Sequence, residues 1–222
     1  MHLNSELLFR KYAVPFFKDK IKVLEIGPAG FPSAYQKIIG NANIEWHTID
    51  FEDTKFIESA VHQLTYKLNS PYDFPVESDQ YDVVISGQVI EHVEKIWVWM
   101  NELKRVVKKG GKIITINPIS WPYHEAPIDC WRIFPAGINA LADDLNLTVD
   151  FCVTESVELE QLTKIDSKIK TVPGQSYAYP SSKVAETNKI IRWNKFIRKL
   201  PGLQFFQVPV EIAYDTISVL KK

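Results

Sequence analysis

Cysteine is nearly missing from this chain. The two that occur, Cys130 and Cys152, stand in no metal-ligand spacing, which argues against a disulfide framework and a zinc site and for a reducing compartment. A surplus of charge is missing too: 26 basic residues against 27 acidic ones leave a net charge of −1. Nothing in that balance recruits nucleic acid or an anionic membrane, so any such contact must be local. No segment is apolar for long enough to cross a bilayer. The N-terminal MHLNSELLFRKYAVPFF carries charges inside its apolar pattern and no signal-peptide core. A cytoplasmic protein with free thiols and no metal is expected. Internal repeats and low-complexity tracts are also lacking, and 222 residues suit one α/β domain with an elaboration.

What is present is organised around Lys22 to Tyr35, KVLEIGPAGFPSAY. An apolar run of strand length turns at Gly27-Pro28-Ala29-Gly30 and offers Ser33 as a helix N-cap. In a parallel α/β sheet, ligands sit outside the carboxyl end of the first strand, where glycines admit the backbone and a helix start offers N–H groups. The turn is not the dinucleotide pattern G-x-G-x-x-G. It gains weight from Asp50, which closes the apolar-leaning run Ile44 to Ile49 about 20 residues on, where an acid can hold ribose hydroxyls. A nucleotide-like cofactor is the first expectation.

The rest of the chain alternates. Ser5 to Lys18 reads as an amphipathic helix ending near Pro15. A short helix from Ser33 to about Ile39 stops at Gly40-Asn41 before the second strand. Asp53 can cap a helix carrying Phe56, Ile57, Ala60, Val61 and Leu64, with His62 on the surface beside it, and Tyr66 to Leu68 is a short third strand. After a turn-rich loop, Asn69 to Gln80, the run Tyr81 to Ser86 reads as a strand buried on both faces. The clearest helix follows, with Ile96, Trp99, Met100, Leu103, Val106 and Val107 on one stripe. Its basic end, Lys104, Arg105, Lys108 and Lys109, is assigned to the helix dipole rather than to nucleic acid. Gly110-Gly111 should end it before a strand from Lys112 to Asn117.

Residues Pro118 to Phe134, PISWPYHEAPIDCWRIF, form a long connection, and long ordered loops in compact domains tend to be functional. Pro135 opens a helix bearing Ile138, Leu141 and Leu145, and Leu147 to Val157 is a sixth strand. Glu158 to Gly202 interrupts the alternation with a polar section around Pro173-Gly174-Gln175-Ser176 and a basic amphipathic helix from Ser182 to Leu200. Val208 to Leu220 returns as a strand, read as antiparallel at the sheet edge. The chain is thereby divided into an N-terminal helix (1–20), a cofactor-binding core (21–157), an insertion or lid (158–204) and a closing strand (205–222) of one domain.

Four ordered segments resemble the class I S-adenosylmethionine-dependent methyltransferases. VLEIGPAG is similar to that family's E/D-x-G-x-G-x-G turn, and Asp50 to its acidic ribose ligand. FPVESDQYDVVISGQVIEHV is similar to its F-D-x-V and E-H segment, and ELKRVVKKGGKIITINP to its R-V-L-K-P-G-G strand entry. Ala29 and Phe31 stand where the common form has glycines. The loop YHEAPIDCWRIFPAG resembles a YH-x-x-P-x-D-x-W-R-F-T-P segment of methyltransferases that accompany bacterial surface-glycan synthesis.

The resemblance implies a Rossmann-like, doubly wound seven-stranded sheet of order 3-2-1-4-5-7-6 with a helical insertion before the last strand. It implies S-adenosylmethionine as cofactor, with Glu25, Gly27, Pro28, Ala29 and Gly30 near its methionine and ribose portions. Asp50 would hold the ribose hydroxyls, Phe51 and Asn69 or Ser70 would lie near the base, and Gly87 and Gln88 would pass beneath the sulfonium. The expected reaction is O-methylation of a small molecule or sugar precursor. An alcohol needs its proton taken, so His124 and His92 are candidate bases. Tyr123, Asp129 and Arg132 are candidate acceptor contacts, although Asp129 and Arg132 could instead form a structural pair with Trp131 as a core plug. Residues 183–199 could touch a membrane surface or serve as a lid. A non-catalytic S-adenosylmethionine-binding or partner-binding protein of the same fold is the alternative, and a nicotinamide oxidoreductase is disfavoured by the first turn.

Overall fold

A computed structural model describes residues 3–52, 63–125, 127–157, 165–166, 192–194, 196–197, 199–200, 202 and 213–222. One mixed sheet runs through it. Its strands are β1 (Lys22–Ile26), β2 (Glu45–Phe51), β3 (Tyr66–Leu68), β4 (Tyr81–Gly87), β5 (Val107–Pro118), β6 (Thr148–Glu155), β7 (Ile165–Asp166) and β8 (Asp215–Lys221). The spatial order is β3-β2-β1-β4-β5-β8-β6-β7. The expected order is therefore met by β3-β2-β1-β4-β5-β8-β6, with β7 added outside β6. β1 to β5 pair in parallel, whereas β8 is antiparallel to both β5 and β6. β8 is thus an inner strand and not the edge strand read from its pattern; six of its seven residues are buried.

Both faces of the sheet are covered, as continuous apolar strands such as Val83-Val84-Ile85 require. One face buries Leu24, Ile49, Val84 and Ile113 against helices α3 (Ile96–Val106) and α4 (Pro135–Asp144). The other buries Val23, Val83, Ile85 and Ile114 against Leu8, Phe9, Ala13 and Phe17 of the N-terminal segment and Tyr35 of α2 (Ala34–Ile39). Ser33 caps α2 as expected, its Oγ accepting from Gln36 N, and Gly40 ends it in a left-handed conformation. The N-terminal helix is less regular than its pattern. α1 (Leu3–Leu8) passes into a π turn (Phe9–Ala13) and a 3-10 turn (Val14–Phe16), where Pro15 has no N–H to continue an α ladder.

One expectation is corrected here. α3 ends at Val106 rather than at Gly110-Gly111, because Val107 already pairs with Tyr81 and Gly110 N donates to Lys222 O. The glycines sit in a bulge of β5, where Tyr81 opposes Val107 but Val83 opposes Lys112. Lys104 and Arg105 stand in the last turn of α3, where the dipole favours a cation, and three residues of the basic cluster also make side-chain contacts. Lys104 donates to Leu145 O, Arg105 grips Glu102 and the carbonyls of Phe74 and Val76, and Lys108 pairs with Asp82.

The helix expected after Asp53, His62, the polar section near Pro173 and most of the basic segment 183–199 lie outside the described residues. Arg192–Asn194 and Phe196–Ile197 are helical. No helix among the described residues is long and apolar enough to cross a membrane. Cys130 is exposed and Cys152 buried, and the two are not joined by a disulfide.

Candidate active site

The tips of β2, β1 and β4 meet. Gly27 N donates to Ile49 O at 3.0 Å, which seats the turn after β1 beside Asp50, and Ile26 faces Ser86 across the sheet, which seats it beside Gly87. Gly27 has φ +69, and a Cβ there would lie 2.5 Å from Val89 Cγ2. A Cβ on Gly87 would lie 2.0 Å from Tyr35 Oη. Both positions therefore exclude side chains, one by conformation and one by contact. Pro28 is buried, while Ala29 is exposed and Gly30 faces open space. Asp50 Oδ1 accepts from Phe51 N at 2.8 Å, and Phe51 packs on the core. Asn69 and Ser70 follow β3, next to the end of β2; Asn69 is exposed and Ser70 Oγ accepts from Tyr72 N.

Beneath this turn the electrostatics are unusual. Glu25 is buried on β1, and its Oε2 accepts from Ser33 Oγ at 2.5 Å and from Trp46 Nε1 at 2.8 Å. Burial pushes its carboxyl up to about 7, against the pull of those two bonds. Tyr35 Oη is buried with no hydrogen-bond partner among the described residues, and burial with the nearby Glu25 carboxylate holds its pKa well above the phenol value.

The other wall comes from two loops. After β4, Ile90–His92 forms a 3-10 turn that buries Glu91 completely. The loop 118–134 docks on that turn through three bonds. Cys130 N donates to Glu91 O at 2.7 Å, His92 Nδ1 donates to Ile128 O, and Trp131 Nε1 donates to Val93 O at 2.8 Å. This docking brings His124 onto His92, edge to face. His124 N donates to Asp129 Oδ2 at 2.8 Å, and its Nδ1 lies 3.0 Å from Pro122 O and 3.3 Å from Asp129 Oδ2. Arg132 clamps Asp129 with two bonds of 2.5 and 2.7 Å and also donates to Trp131 O and Trp121 O. That clamp holds Asp129 down to about 2.

Residues 24–115 match the family model described as a methyltransferase domain. Over those residues the chain is similar to methyltransferase domains. A SAM dependent methyltransferase from Archaeoglobus fulgidus superposes with a TM-score of 0.57 at 17% identity, covering 98% of this chain and 92% of that one. Phosphoethanolamine N-methyltransferase 2 of Haemonchus contortus, solved with S-adenosyl-L-methionine, superposes with a TM-score of 0.60 at 14% identity. It covers 99% of this chain and 52% of that one. A 115-residue stretch is 26% identical to the highly reducing polyketide synthase aurA of Calcarisporium arbuscula. It makes up 46% of this chain and 5% of that protein, so the match spans a small part of this curated relative.

The chain's own features fit S-adenosylmethionine as its cofactor. Gly27 and Gly87 leave no room for a Cβ, an acid stands at the tip of the second strand, and buried Glu25 and the Tyr35 hydroxyl, which has no partner among the described residues, are polar groups under the turn. Gln88 follows the tip of β4, and its side chain donates to Ser5 Oγ at 2.7 Å and Asp215 Oδ1 at 3.0 Å. Asp129 and Arg132 hold the loop together, with Trp131 packed on the core, which is the structural pairing the sequence also allowed. Tyr123 is 71% exposed and its hydroxyl donates to Glu125.

Two residues of the site escaped the sequence reading. Tyr35 closes the segment KVLEIGPAGFPSAY, where nothing in the pattern sets it apart from a core residue. For Glu91 the signal is an acid directly before a histidine, between apolar Ile90 and Val93, a carboxylate that the fold must bury.

Proposed function

We propose that this methyltransferase transfers its methyl group to a hydroxyl of a small molecule or sugar precursor. What the donor supplies when bound is an electrophilic sulfonium methyl, so the chain has to align a nucleophile and exclude water. Glu25, Gly27, Pro28, Ala29, Gly30, Asp50, Phe51, Asn69, Ser70 and Gly87, with the backbone of Gln88, form the donor side in this reading. His124, backed by His92, receives the acceptor hydroxyl as its base or as a ligand to it, while Tyr123 and the Asp129–Arg132 pair shape the entrance. Residues 1–222 act as one domain, with 158–204 as a lid.

The observation that carries this reading is the meeting of His92 and His124 beyond the tips of β4 and β5. Support for a glycan precursor comes from the YHEAPIDCWRIFPAG loop and its likeness to methyltransferases of surface-glycan synthesis. A labelled-methyl assay across nucleotide sugars, simple sugars and non-sugar alcohols tests it. Transfer to a sugar hydroxyl is expected; label appearing only on nitrogen or carbon acceptors would overturn it.

A non-catalytic binding protein is the second reading, favoured by Ala29 and Phe31 in the turn. Calorimetric binding of S-adenosylmethionine without turnover on any acceptor would select it.

A further inference from the structure

Glu91 is fully buried, and neither of its carboxylate oxygens has a hydrogen-bond partner among the described residues. An unpartnered buried acid is costly. It does not stand alone. One ligand atom each from Glu91, His92 and His124 lies within 4.8 Å of the others, and Glu91 Oε1 is 3.8 Å from His92 Nε2. We propose that Glu91, His92 and His124 form a binding site for a divalent first-row transition-metal ion, facing the acceptor side of the methyltransferase site.

The surroundings are those of a metal centre. Each histidine has its Nδ1 engaged by oxygen: His92 by Ile128 O, His124 by Pro122 O and the Asp129 carboxylate. That fixes the tautomer and leaves Nε2 of both rings as the ligand atom. The Asp129–His124 contact is a carboxylate behind a ligating imidazole, the arrangement that orients and strengthens a metal-binding histidine. Arg132 in turn fixes Asp129. Charge points the same way: Asp215 and Asp129 both bear on Glu91, and the opposing cation, Arg132, is committed to Asp129. Ligands of such an ion sit about 2.0–2.2 Å from it, hence roughly 3–4 Å apart, so the three groups need to close by only about 1 Å.

Two imidazoles and one carboxylate suit zinc, iron, nickel or manganese better than magnesium or calcium. They leave coordination positions open, and an acceptor oxygen placed there would bind with its proton affinity lowered. The proposal therefore rests on the reading of this wall as the acceptor side. It turns the histidine pair from a simple base into a holder of the acceptor. The local pattern gave no hint of a metal, because one ligand lies in a separate loop.

Titration of the untagged, metal-free full chain with Co2+, followed by calorimetry and visible absorption, tests the site without substrate. One ion per chain is expected, with Glu91→Gln and His124→Ala each weakening binding about tenfold or more and Asp129→Asn about 10–100-fold. His47→Gln, away from the cluster, should leave it unchanged, and circular dichroism checks that each variant folds. No saturable binding to the wild-type chain, or equal binding by the Glu91 and His124 variants, would overturn the site. Calorimetry with S-adenosylhomocysteine on the same metal-free chain separates the two proposals. Binding of the nucleoside without Co2+ binding removes the metal site alone, and the reverse removes the methyl-transfer reading alone.

Discussion

His92 and His124 meet edge to face, their ring centroids 4.9 Å apart and their planes at 89°, although one leaves the tip of β4 and the other belongs to the loop after β5. Burial first, reinforced by His124 and opposed by the Ile128 carbonyl, keeps His92 below the ordinary histidine pKa. His92 therefore offers a neutral imidazole at physiological pH.

His124→Ala should lower turnover by roughly 10²–10⁴-fold, the usual contribution of a positioned acid–base group. Affinity for S-adenosylmethionine should not change in the proposed arrangement, which sets His124 apart from the donor. A labelled-methyl assay beside calorimetry checks both; near-normal turnover would remove His124 from the mechanism.

Tyr35→Phe removes a buried hydroxyl that has no partner among the described residues. The donor-free protein should gain about 1 kcal/mol in urea unfolding, while affinity for the donor should fall if the hydroxyl serves it. Gly87→Ala should cost about 1–3 kcal/mol, because the new methyl collides with that hydroxyl and its ring. The double variant should recover part of the loss. An unchanged midpoint in Gly87→Ala would show that the ring moves freely.

Glu25 has its carboxyl raised from 4.5 to about 7. The folded chain holds this proton more tightly than the unfolded one, so the associated stability is complete below about pH 4.5 and is lost as pH rises to about 7. The span corresponds to something on the order of 3 kcal/mol. Glu25→Gln should flatten that part of the stability–pH curve in chemical denaturation, and a curve as steep as the wild type's would contradict the assignment.

Arg132→Met strips Asp129 of its clamp. The Asp129 pKa should rise from about 2 toward 3.8, the loop 118–134 should lose about 1–3 kcal/mol of support, and KM for the acceptor should climb with donor affinity intact. Proton-titration NMR and steady-state kinetics would register each change. Conservation of KM in the variant would make the clamp irrelevant to the acceptor.

Much of the donor side was legible in the chain because it is local. A strand, a glycine turn and a capping serine are consecutive in KVLEIGPAGFPSAY, and Asp50 ends the next strand, so neighbouring strand tips bring them together by topology alone. β8 was misplaced because its apolar run is that of any buried strand, and an inner place between β5 and β6 is a matter of pairing, not pattern. Gly110-Gly111 looked like a helix stop because a bulge and a stop use the same residues. The acceptor side was legible only as two separate histidines. Their meeting depends on backbone and indole hydrogen bonds from Ile128, Cys130 and Trp131, and no periodicity encodes those.

Asn4 and Ser5 are completely buried. Asn4 bonds to Glu155 O, Val157 N and Asp215 Oδ2, and Ser5 takes the amide of Gln88. The first turn of α1 is consequently a bolt between β6, β8 and the residue after β4: without it β8 and the tip of β4 would slacken together, and damage would surface far from the turn itself.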